Sequence, residues 1–374
     1  TQSTWGLYGA DQWHKVGLRS IKRSAFNKFD KTLKMAYPHH LKLGAALILV
    51  VMLHMSNGVN CRGKRNALFV FGDSFVDSGN TKLPAESWTS PYGSTYPGQP
   101  SGRWSNGRVW SDYVARYLGL KPPIPYEQSA RHQKQIKNGV NFAYGGSGLF
   151  QTLYPYPNMT QQIDYFEKMI RDKVLKRETL SSSVAIIAVS GNDYTKFALV
   201  DNPKATPQDW KDFITKLINQ MVVNITKIRG VGIKTFAVNG ISPLGCFPSL
   251  AKRSNYRECE KFSNELSEFH NSLLKEEISQ MNKTAPAGYV YIDLYNAFFA
   301  AIKQREKVST GNQLMSCCRS FEEPHKCGNV DENGRKQYTV CNDAKSYFYW
   351  DEEHPSQQGW KDVYLFLRPT LRQL

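Results

Sequence analysis

The chain has 374 residues, enough for two average domains or one large α/β domain, and its 41% hydrophobic content excludes global disorder. The formal charge of +16 does not point to nucleic acid. Residues 1–34 contribute +5 and residues 35–58 a further +1, and the remaining +10 is scattered among acids rather than gathered in aromatic-interleaved stripes. A solvated basic surface follows, able to meet acidic cell-surface polymers or anionic lipid.

At the N-terminal end, Leu43 to Leu53 form an uncharged run of eleven residues, preceded by His39, His40 and Lys42 and followed by the small residues Ser56 and Gly58. A run this short cannot span a bilayer as a helix, so residues 35–58, opening on Met35, read as a cleaved secretory signal. Residues 1–34 show no coherent pattern and read as an upstream extension without a fold of its own; a cytosolic tail on a signal-anchor protein is the alternative. The mature chain, 59–374, is then a single secreted domain with no transmembrane anchor, in the extracellular space or cell wall. Six of the seven cysteines (Cys246, Cys259, Cys317, Cys318, Cys327 and Cys341) lie in the C-terminal half, none in metal-finger spacing. In an oxidising compartment they form three disulfides, of which Cys246 with Cys259 is the natural local pair; Cys61 is left over. Sequons at Asn158, Asn224 and Asn282 are candidate glycosylation sites.

Five short apolar runs punctuate the mature chain: Ala67–Phe71, Gly139–Ala143, Val184–Ser190, Lys234–Asn239 and Tyr289–Asp293. Continuous apolar runs of this length suit strands buried on both faces of a parallel sheet. Between and after them, helical periodicity marks Val109–Leu118, Gln161–Arg177, Trp210–Ile228, Phe262–Met281 and Gln358–Leu367. Alternating strand and helix predicts one α/β domain with helices on both sheet faces. Reactive groups in such sheets gather at the carboxyl ends of the strands, which places loops 72–80, 144–149, 191–194 and 240–247 along one edge.

Ser74 follows the first strand after a Gly-Asp pair, where a glycine permits a tight turn and the serine is presented at the sheet edge. Asp351 precedes His354 by three residues. In a single turn the acid can accept from one imidazole nitrogen and leave the other basic toward a serine, which is too poor a nucleophile to act without a base. Among the histidines downstream of the signal (132, 270, 325 and 354), His354 alone has an acid placed to orient it. Asn192, after the strand that begins at Val184, can donate its amide to an oxyanion, and Gly145, Gly146 and Gly148 supply bare backbone N–H groups. The glycines lack the Lys-Ser/Thr of a P-loop and the full GxGxxG spacing, and there is no metal-ligand cluster, so no cofactor is implied.

These blocks (FGDSFVDSGN, GVNFAYGGSG, SGND and DEEHP), with SGRWSNGRVWSDYVA and ISPLGCFP, resemble in order and spacing the GDSL, or SGNH-hydrolase, superfamily and its plant esterases/lipases, over residues 66 to 370. The resemblance implies a flavodoxin-like three-layer α/β/α sandwich on a five-stranded parallel sheet. It implies Ser74 as nucleophile with Asp351 and His354, and an oxyanion hole of the Ser74 N–H, Gly146 and Asn192. The implied activity is hydrolysis of carboxylic esters of lipids or other acyl esters. Acyl transfer, deacetylation of a cell-wall polymer, and a non-catalytic binding role on the same scaffold are the alternatives. Two departures stand out: Tyr144 replaces a small residue beside the glycines, where it could narrow the pocket, and Glu352-Glu353 sit beside the histidine, either tuning it or facing solvent.

Overall fold

The computed structural model describes residues 65–374 apart from Ser190, residues 285–287 and Thr310, so the signal-like run, the upstream segment and Cys61 lie outside the described residues. A six-stranded parallel sheet runs through the domain, with strands β1 Leu68–Gly72, β2 Ile124–Pro125, β3 Val140–Asn141, β4 Val184–Ala188, β5 Thr235–Asn239 and β6 Tyr289–Ile292 in the order β2-β3-β1-β4-β5-β6. The order reverses direction at β1, so its carboxyl end opens a crevice between β3 and β4. The five apolar runs are five of these strands. The sixth, β2, is a two-residue edge strand in a proline-rich stretch, paired only through Ile124 to Val140 and Pro125 to Asn141. An edge is where a sheet tolerates proline, which lacks the ladder N–H, and two residues are too few for any alternation to register.

The principal helices are α1 Trp110–Tyr117, α2 Met159–Arg171, α3 Asn192–Lys196, α4 Pro207–Val231, α5 Lys261–Thr284, α6 Leu294–Val308 and α7 Gln357–Leu371. Helices α2, α4 and α5 pack together on one side of the sheet, and α1, α6 and α7 on the other. Alternation along β1 explains how one strand serves both layers. Phe69 and Phe71 face α2, each in ring contact with Phe166 at 5.0 and 5.5 Å. Toward the other layer, Trp360 of α7 stacks 6.1 Å from Trp110 of α1 and meets Phe298 of α6 at 5.8 Å. Each such buried aromatic contributes on the order of 2–3 kcal/mol.

Two helices depart most from expectation. α2 ends at Arg171, where Lys173 turns to φ +60° and the N–H groups of Val174 and Leu175 fold back on Met169 O. α6 was not expected. Asp293, which closes the apolar run Tyr289–Asp293, is its N-cap and accepts from Asn296 N at 3.1 Å. Leu294, Ala297, Phe298, Ala301 and Ile302 then fall on one buried face at helical spacing.

The six cysteines pair as Cys246–Cys259, Cys317–Cys341 and Cys318–Cys327. Cys317 and Cys318 are neighbours whose side chains leave opposite faces of an extended segment, so each finds a different partner. The hairpin they tie, β7 Cys318–Ser320 with β8 Tyr338–Val340, braces the chain ahead of Asp351: Cys317 N donates to Tyr349 O and Cys318 N to Trp350 O at 2.7 Å.

The sequons are not equivalent. Asn158 caps α2 and is half-buried, and Asn282 is half-buried with its amide bonded to Tyr289. Asn224 is corrected as a candidate: it is 1% exposed on α4, and its Oδ1 accepts from Thr160 of α2 and from Gln220. A glycan on that amide would have no way out of the packed interface.

Candidate active site

Ser74 sits at the carboxyl end of β1 because Gly72 lets the chain turn there. Gly72 has φ +153°, and a Cβ on it would lie 2.0 Å from Ala188 O, so no other residue fits beside β4. Gln162 of α2 both accepts from Gly72 N and donates to Gly72 O, fixing the turn from below. Asp73 O accepts from Val76 N and Asp77 N, and its carboxylate from Phe75 N, closing one tight turn that presents Ser74.

Residues 350–354 make a second turn at the same edge. Trp350 N donates to His354 O at 2.7 Å, and Asp351 Oδ1 accepts from the backbone N–H of both Glu353 and His354. The two side chains consequently meet: His354 Nδ1 lies 2.8 and 2.9 Å from the oxygens of Asp351, and His354 Nε2 lies 2.8 Å from Ser74 Oγ. With the Nδ1 proton donated to Asp351, Nε2 accepts from the serine hydroxyl. All three residues are nearly buried, at 7% exposure for Ser74 and 6% for Asp351 and His354. Burial opposes charge on His354, but Asp351 beside it, by charge and hydrogen bond, and Glu353 outweigh that, so the imidazole titrates above the ordinary histidine range. Burial likewise pushes Asp351 upward, yet His354, the backbone N–H of Glu353 and Tyr92 hold it below the usual carboxylate range. Such a relay can draw the proton from Ser74 and hand it to a leaving group.

Two residues of this arrangement escaped sequence reasoning. Tyr92 OH donates to Asp351 Oδ2 at 2.7 Å, and Trp104 stacks on the His354 ring at 5.2 Å. Trp104 lies in the SGRWSNGRVW block, a signal that could have been used; Tyr92 stands in an unremarkable turn.

The glycine loop resolves into distinct duties. Gly145 N–H is consumed by Asp77 and Thr81, and Gly148 leaves the space filled by the Asp193 carboxylate, which a Cβ there would strike at 2.4 Å. Asp193 accepts from Leu149 N and Phe150 N, tying the loop to α3, and burial pushes its pKa up to about 6. Gly146, at φ +82°, has an N–H with no acceptor among the described residues, as does the N–H of Ser74. Asn192 Nδ2 donates one proton to Ser147 O at 2.9 Å and retains the other.

Ser74, Asn192, Glu353 and His354 line one cleft of about 460 Å³, which Gly146 does not line. The residues from 68 to 364 match the family of GDSL-like lipases/acylhydrolases. The chain belongs to that family. A GDSL esterase/lipase of Arabidopsis thaliana is 39% identical over 312 residues, 81% of this chain and 86% of that protein, and another is 40% identical over 322 residues, 84% and 90%. Among solved structures, a variant of an acetyl-xylooligosaccharide esterase from Geobacillus Stearmophilus aligns over 82% of this chain and 95% of its own at 13% identity and a TM-score of 0.37. As a member of the GDSL family the protein is a hydrolase acting on ester bonds.

The departures from the family pattern also find their places. Tyr144 does not narrow the pocket: its ring is buried away from the cleft and its hydroxyl donates to Glu127 at 2.7 Å. The paired glutamates split. Glu353 is exposed on the cleft and adds to the upward shift of His354, whereas Glu352 turns half-buried toward Ser316, and burial together with Asp351 raises its own pKa. Among the described residues no helix is long and apolar enough to cross a membrane.

Proposed function

We propose that this GDSL hydrolase is a secreted serine esterase in which Ser74 attacks the ester carbonyl. His354 takes the serine proton as the bond forms and returns it to the departing alcohol. Asp351 holds the imidazole in the required tautomer and stabilises the imidazolium. The tetrahedral oxyanion is met by the Ser74 N–H and the free amide proton of Asn192; the family resemblance adds the Gly146 N–H, although Gly146 does not itself line the cleft. Water, activated by the same histidine, then releases the acid from the acyl-serine. The observation that carries this reading is the pair of hydrogen bonds linking Ser74 to His354 and His354 to Asp351 at the mouth of a cleft. Secretion is supported by three disulfides, by the eleven-residue apolar run upstream and by sequons at the partly exposed Asn158 and Asn282. The test is labelling with a fluorophosphonate: wild type should take the label and lose activity, and Ser74→Ala should take no label and show no activity while keeping its melting temperature. Labelling at another residue, or activity in the variant within tenfold of wild type, would remove Ser74 from its role.

A further inference from the structure

The cleft that holds Ser74 continues well beyond the reacting groups. Its polar catalytic side chains lie together, and most of its remaining wall is apolar: Tyr194 and Ala198 from α3 and the turn that follows, Leu244 and Phe247 from the loop after β5, Trp210 from α4 and Phe262 from α5. Ring contacts give the cleft a direction. Phe75 touches both His354 at 6.1 Å and Phe247 at 6.2 Å, marking the reacting end. Trp210 instead contacts Tyr194, Phe197 and Phe262 at 5.9, 4.7 and 6.4 Å, and makes no ring contact with either Phe75 or His354. We propose that this apolar arm binds the acyl chain of the substrate, that it prefers an unbranched fatty acyl group to acetate, and that Trp210 sets the length at which the arm is full.

The proposal rests on Ser74 as the nucleophile, since in the acyl-serine the acyl group is attached at the reacting end and extends from there along this wall. An acetyl group reaches one or two of these side chains and leaves the rest facing water. Each added methylene that moves from water into the arm should raise kcat/KM about fourfold, until the chain meets the indole. Trp210 is in contact with four other rings, those of Tyr194, Phe197, Phe213 and Phe262, so it acts as a fixed wall. Ala198, half-buried on the cleft, leaves a gap that a larger side chain would fill.

The experiment uses the full secreted protein and p-nitrophenyl esters from acetate to palmitate, with kcat/KM measured for wild type, Trp210→Leu and Ala198→Phe. Fluorophosphonate labelling and thermal melts are recorded for each variant. In wild type, kcat/KM should climb from acetate and then break at one chain length. Trp210→Leu should move that break to chains at least two methylenes longer, and Ala198→Phe should move it to shorter ones. An acetate optimum in wild type, or a break that stays put in variants that fold and still label, overturns the proposal. Should Trp210→Leu fail to fold, the opposite displacement in Ala198→Phe and the wild-type profile still decide. Loss of Ser74-dependent labelling in wild type would instead refute the nucleophile assignment beneath it.

Discussion

Replacing Tyr92 by Phe removes one hydroxyl and little else. The ring is buried, contacts Trp104 and Trp350 at 6.1 Å each, and keeps those contacts as phenylalanine. What disappears is the 2.7 Å donation to Asp351 Oδ2. A hydrogen bond to a charged group contributes about 1.5–3 kcal/mol, but Asp351 keeps three other donors, the backbone N–H of Glu353 and of His354 and the imidazole N–H. The catalytic cost is therefore a fraction of that range, about 0.7–1.4 kcal/mol, a three- to tenfold fall in kcat/KM. The pH profile should move as well. With one donor fewer the carboxylate is more basic and favours the imidazolium more strongly, so His354, already above the ordinary range, rises further. Since the base must be neutral, the rising limb of kcat/KM should shift to higher pH. The assay is kcat/KM for a soluble ester between pH 5 and 9 in wild type and Tyr92→Phe. A variant within twofold of wild type with an unmoved limb would show that Tyr92 only packs; a loss as deep as that of Asp351→Asn, expected near 10⁴-fold, would show that the hydroxyl holds the whole turn.

Glu353→Gln should shift the same limb to lower pH, because its charge favours the imidazolium, while Glu352→Gln should leave it in place; equal shifts would contradict the separate orientations of the two side chains. Asn192→Ala should lower kcat roughly a hundredfold with a smaller change in KM, as for the loss of an oxyanion donor, and a change confined to KM would assign the amide to substrate binding. His270 is buried with Nδ1 2.9 Å from Tyr194 OH, and burial pushes its pKa down to about 4. Its folded-state pKa lies below the unfolded value near 6.5, so this stabilisation is present above pH 6.5 and is lost as pH falls toward 4. The separation corresponds to about 3 kcal/mol, and chemical-denaturation curves of His270→Gln should show a correspondingly weaker acid dependence than wild type. Identical slopes would mean that His270 takes no part in acid unfolding.

Much of this protein could be read without coordinates because its signals are local. A strand buried on both faces must be continuously apolar, so β1, β4, β5 and β6 announce themselves. The acid three residues before His354 can orient it through one turn, whatever surrounds it. Gly72 is required by the turn that exposes Ser74. The elements that were missed carry weak or misleading local patterns: β2 is two residues at a proline-rich edge, and the start of α6 is hidden because a capping aspartate resembles the end of a strand. Other facts belong to the tertiary structure alone. Ser74 and His354 are 280 residues apart in sequence, and only the sheet order and the disulfide-braced hairpin bring them to 2.8 Å. Tyr92 reaches Asp351 across 259 positions. That Gly145 has no free N–H depends on Asp77 and Thr81, which arrive from the loop after β1. Whether a sequon is open depends on helix packing, which buries Asn224 between α2 and α4. Side-chain type and short-range spacing determine which chemistry a segment can offer; which groups meet, and which face water, is set by long-range packing that no short window of sequence contains.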